Sequence, residues 1–85
     1  MENTNSTIYH LIDVTKAQAT VMIENGASEE DIEKLGNLMV ERSEKITNGA
    51  INALESQGFV VEIYFIEVLL GNKVFYVDPI RICDD

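Results

Sequence analysis

From Phe59 to Cys83 the chain spells one β-hairpin with apolar side chains on both of its faces. No other feature restricts the fold as much. Two strands alone do not hold together in water, and a ribbon that is oily on both sides needs cover on both sides. The rising strand, Phe59-Val60-Val61-Glu62-Ile63-Tyr64-Phe65-Ile66-Glu67-Val68-Leu69-Leu70, is rich in β-branched and aromatic residues. Gly71-Asn72 is a two-residue hairpin turn, and Lys73 to Asp78 returns. A two-residue loop sets Leu70 against Lys73. Every later pair follows: Val68 with Phe75, Glu67 with Tyr76, Ile66 with Val77 and Glu62 with Arg81, an opposite-charge pair that supports the register. One face then carries Tyr64, Ile66, Val68, Phe75 and Val77. The other carries Val61, Ile63, Phe65, Leu69, Val74 and Ile80. Pro79 has no N–H to give to a ladder, so its strand lies at an edge or bulges there.

The preceding residues supply cover for one face. Ile8, Leu11, Ile12, Ala19, Met22 and Ile23 fall at helical spacing, which predicts a helix from Thr7 to about Asn25 behind a frayed, disordered Met1–Ser6. Ser6 or Thr7 can cap its start, and Gly26 suits the position after its end. Ser28 followed by Glu29, Glu30 and Asp31 is a cap followed by acids that oppose the positive helix end. Ile32, Leu35, Met39, Ile46, Ala50 and Leu54 keep one phase as far as Gln57, with Ser43 as a polar gap in the stripe. Unbroken, this helix is roughly 43 Å long at 1.5 Å per residue. A compact sphere of this chain length is about 30 Å across. The helix therefore either overhangs or breaks at Thr47-Asn48-Gly49, and the constant phase across that tripeptide favours one long helix. The fold class is α+β: a helical hairpin, then a C-terminal antiparallel β-hairpin, in one domain over residues 1–85. An intertwined or sheet-sharing homodimer is expected to cover the remaining ribbon face, with Tyr64, Phe65, Ile66, Val68, Phe75 and Val77 as interface residues.

Composition narrows the function classes. A chain of 85 residues gains little from its own core. One cysteine allows no internal disulfide and one histidine no Cys/His metal cage within a copy, so oligomerisation is the remaining aid. Fifteen acids against 6 bases give a formal charge of −9, which repels nucleic acid and anionic membrane. Met1-Glu2-Asn3-Thr4-Asn5 is polar and does not read as a secretory leader, and no apolar run approaches a membrane span. A cytoplasmic setting with Cys83 reduced is the expectation.

Candidate chemistry is sparse. His10 and Asp13 lie one helical turn apart, but no nucleophile is placed beside them, and a surface pair is the plainer reading. Glu62 and Glu67 fall on opposite faces of one strand and form no dyad. Glu67 is set to receive a hydrogen bond from Tyr76. The acidic neighbour Asp84 blunts the Cys83 thiol. No glycine-rich phosphate loop is present in the sequence, and no cofactor or metal is implied. The expectation is a small acidic, non-enzymatic protein-binding module. In its specific form it is an inhibitor of the kind encoded by phages and mobile elements. Glu29, Glu30, Asp31, Glu33, Glu41 and Glu44 would stand in for the phosphates of DNA and occlude a basic site on a nucleic-acid-handling or defence protein. The alternative is an assembly subunit that oligomerises through its β-hairpin.

Overall fold

The computed structural model describes residues 2–77 and 79–82. Two antiparallel helices, α1 (Glu2–Glu24) and α2 (Glu29–Ser56), form one layer. Strands β1 (Val61–Ile63), β2 (Ile66–Leu70), β3 (Lys73–Val77) and β4 (Ile80–Ile82) form the other. The order and class are those the sequence predicts. Cys83 and its acidic neighbour Asp84 lie outside the described residues.

Local chemistry sets the helix ends. The Ser28 hydroxyl accepts the Asp31 N–H at 3.2 Å, and the Asp31 carboxylate accepts the Ser28 N–H at 3.4 Å, a reciprocal capping box. Both helices stop the same way. Gly26 (φ 83°) and Gly58 (φ 88°) take the left-handed conformation that a side chain resists. The N–H groups of Ala27 and Phe59 then bond back to the carbonyls of Met22 and Leu54. Asn48-Gly49 does not break α2, which runs unbroken to Ser56. The molecule is accordingly a rod of 48 × 17 × 17 Å, with a radius of gyration of 14.6 Å against about 12 Å for a compact globule of this length.

The hairpin has the predicted register throughout. Leu70 pairs with Lys73, Val68 with Phe75, Ile66 with Val77, Ile63 with Ile80 and Glu62 with Arg81. Pro79 interrupts the ladder between β3 and β4 but adds no residue to it. Two residues separate the paired segments on each strand, and the Tyr64 N–H still reaches the Pro79 carbonyl at 3.1 Å. The ribbon tip meets the α1–α2 turn, where Leu70, Gly71 and Lys73 approach Ile23, Ala27 and Ile32.

The core lies between the layers. Ile8, Ile12 and Ala19 of α1 and Ile32 and Met39 of α2 bury Val68, Leu70, Phe75 and Val77 of the ribbon. Ser43 and Thr47 continue this buried row of α2. Ser43 is therefore not a gap in the stripe. Its hydroxyl donates to the Val40 carbonyl at 2.8 Å, so it enters the core already satisfied.

Two further expectations are corrected. The first turns are not disordered: α1 begins at Glu2, so Ser6 and Thr7 lie inside the helix and do not cap it. The cause is remote in sequence. Asn5 donates to the Ile80 carbonyl at 2.6 Å and accepts the Ile80 N–H at 3.1 Å, clamping the helix start to the last strand. Ile80, assigned above to the outer face, is instead fully buried. Its strand follows the break at Pro79 and is drawn onto α1 by that clamp. Replacing Asn5 with alanine strips two backbone groups of their partner. It is expected to cost about 1–2 kcal/mol, seen as faster amide exchange in the first turns of α1 and at Ile80.

Candidate interaction surfaces

Ribbon side chains alternate between covered and open through β2 and β3, the first covered position of each strand, Ile66 and Lys73, being half-buried. The period of two that buries Val68, Leu70, Phe75 and Val77 turns Phe65, Glu67, Leu69, Val74 and Tyr76 outward. The six residues expected at an oligomer interface thus fall into three groups. Val68, Phe75 and Val77 lie in the protomer's own core, and Ile66 and Tyr64 are half-covered. Phe65, 70% exposed, is the one that faces out. Leu69, Val74 and Tyr76, each about half exposed, share its face. Leu69 and Val74 are direct cross-strand partners. Together these four expose roughly 400 Å², within the range for the largest apolar patch on a monomer. Glu67 is the one charge among these outward positions of β2 and β3, and the Tyr76 hydroxyl donates to it at 3.3 Å. That bond is the one expected from the register.

The acids of α2 are all exposed but do not act as one group. At 100° per residue, Glu29, Glu30, Glu33, Glu41 and Glu44 share a sector of about 120°, whereas Asp31 points elsewhere. Asp31 is held by the cap. Glu30 pairs with Lys34, Glu41 with Lys45 and Glu33 with Lys73, each at 3.7 Å. The Lys73–Glu33 contact ties the ribbon to α2 and was not foreseen, because its partners are 40 residues apart in sequence. Three of the six acids therefore carry a cation of the same chain beside them, which lowers the negative potential they offer a partner.

The helix pair has a third surface. Thr7, His10, Leu11 and Val14 of α1 and Arg42, Lys45 and Ile46 of α2 line a groove of about 500 Å³ that contains no strand residue. A smaller groove of about 170 Å³ continues it through Gln18, Leu35 and Leu38. This surface escaped the sequence reading. Its apolar residues lie beside the core row on each helix, and the helical period alone does not say where one helix stops covering the other.

His10 and Asp13 are both exposed on α1. Among the described residues no cluster of three or more His, Cys, Asp or Glu could hold a metal ion, and no helix is long and apolar enough to cross a membrane. No protein-family model, curated protein or solved structure matches this chain.

Proposed function

We propose that this chain is a protein-binding module that works as a homodimer, its two copies joined by the outer faces of their β-hairpins. The observation that carries this reading is the open face around Phe65, roughly 400 Å² of exposed surface on which Glu67, held by the Tyr76 hydroxyl, is the one charge among the described residues of β2 and β3. Two such patches laid together remove roughly 800 Å² from water, the size of a small interface of modest affinity. A two-fold arrangement satisfies both copies with one self-complementary contact and leaves no open end. The helical layers then lie outermost, with the acidic sector of α2 turned away from the interface.

The test is mass in solution. Light scattering or sedimentation at micromolar concentration is expected to give twice the 9.5 kDa of one chain. A particle of single-chain mass across that range would overturn the proposal.

A second reading, occlusion of a basic site by the α2 acids, has one observation in its favour. Glu29, Glu30, Glu33, Glu41 and Glu44 share a helix sector in a chain of charge −9. Its support is weaker than that of the ribbon face, because Glu30, Glu33 and Glu41 are paired within the chain and Asp31 serves the cap.

A further inference from the structure

We infer that the groove between α1 and α2 is a docking site for an acidic amphipathic helix of a partner protein. Its shape is that of a helix seat. Thr7, His10, Leu11, Val14 and Gln18 recur at three- and four-residue steps along α1, giving a row roughly 16 Å long. Arg42, Lys45 and Ile46 form the facing wall. The floor is apolar and partly open, with Val14 49% and Leu38 42% exposed. Such a trough accepts side chains at i, i+3 or i+4, and i+7 of a third helix.

Charge identifies the occupant. The chain has 6 Lys and Arg and one His against 15 acids. Two of those bases and the histidine line this one groove, and no acid lines either part of it. Lys45 leans on Glu41 at 3.7 Å, outside the lining. Arg42 makes no ion pair among the described residues. An apolar trough with a cationic rim, on a molecule that is negative elsewhere, fits an apolar row flanked by carboxylates. A second copy of this chain fits poorly. Two-fold pairing through the groove sets Arg42, Lys45 and His10 against or near their own copies.

The site is separate from the ribbon face, so the two can be tested apart. Two synthetic helical peptides with the same leucine row, one flanked by glutamate and one by lysine, are titrated into the labelled full chain and followed by amide shifts. The acidic peptide is expected to bind at least about tenfold more tightly, with shifts centred on residues 7–18 and 35–46. Arg42→Glu and Val14→Asp are both at exposed positions, and each is expected to weaken it by about tenfold or more. Phe65→Ser is expected to leave it unchanged. A lysine peptide that binds equally or better, as net charge alone would dictate, would overturn the inference. So would shifts that fall on the ribbon, an affinity indifferent to Arg42→Glu, or the lack of binding by either peptide.

Discussion

Gly36→Ala is expected to destabilise the protein by about 2 kcal/mol, although alanine is the better helix former by about 1 kcal/mol. Gly36 is buried in the third turn of α2, and the Phe75 ring of β3 lies directly on its Cα. A methyl group built there would overlap three ring carbons of Phe75, Cζ, Cε1 and Cε2. The ring has little freedom to retreat. Its strand is laddered to β2 through the Val68 pair, and the side chain is buried. Overpacking a filled core costs about 1–3 kcal/mol, occasionally more. An overlap with a ring held on both sides belongs at the top of that range, which leaves a net loss after the propensity gain.

Gly49 supplies the control within the same helix. Nothing approaches within 4 Å of a Cβ placed there, so Gly49→Ala realises only the propensity gain of about 1 kcal/mol. For a domain of this size 1 kcal/mol moves the melting temperature by roughly 4–8 °C. The two variants should therefore shift the melting temperature in opposite directions, Gly36→Ala downward and Gly49→Ala upward. Trimming the ring with Phe75→Leu should cost less in the Gly36→Ala background than in the native one, because the two sites are in contact. If both glycine variants raised the melting temperature, Phe75 would not be seated on Gly36.

The contrast between these glycines shows where the sequence is legible. Hairpin register could be read, because a two-residue turn at Gly71-Asn72 fixes every pair that follows it. The α2 cap could be read, because Ser28 and Asp31 interact within one turn. The role of Gly36 could not, since both glycines leave the same local signal and only the docking of the ribbon distinguishes them. The helical start at Glu2 is hidden for a related reason, as it depends on Asn5 bonding to Ile80, 75 residues away. The covered ribbon face was equally ambiguous. Val68, Leu70, Phe75 and Val77 are no more apolar as a set than Phe65, Leu69 and Val74 with Tyr76. The choice is made by shape, because Phe75 fits the notch at Gly36 and the face that carries it must turn toward α2.

That ambiguity becomes the second prediction. Phe65→Asp, alone or with Leu69→Asp, is expected to split the proposed dimer and leave the fold of each protomer intact. Both side chains are open in the protomer, so a carboxylate at either position stays hydrated and removes no core contact. In the dimer each change occurs twice. Burying one phenylalanine contributes about 1.5–3 kcal/mol, and the two copies together contribute about 3–6 kcal/mol. Their loss corresponds to a dissociation constant weakened by at least about a hundredfold. Val68→Asp, three residues further along, is expected to behave in the opposite way. Val68 lies on the buried face under the helices, where an unpaired carboxylate is costly enough to unfold a small domain. Sedimentation and far-ultraviolet circular dichroism separate the outcomes: Phe65→Asp keeps its helical signal at half the native mass, whereas Val68→Asp loses the signal. A native-mass dimer that survives Phe65→Asp would place the contact between copies on a surface other than the ribbon face. Assembly through the ribbon requires that two side chains three positions apart, equally apolar in composition, fail in different assays.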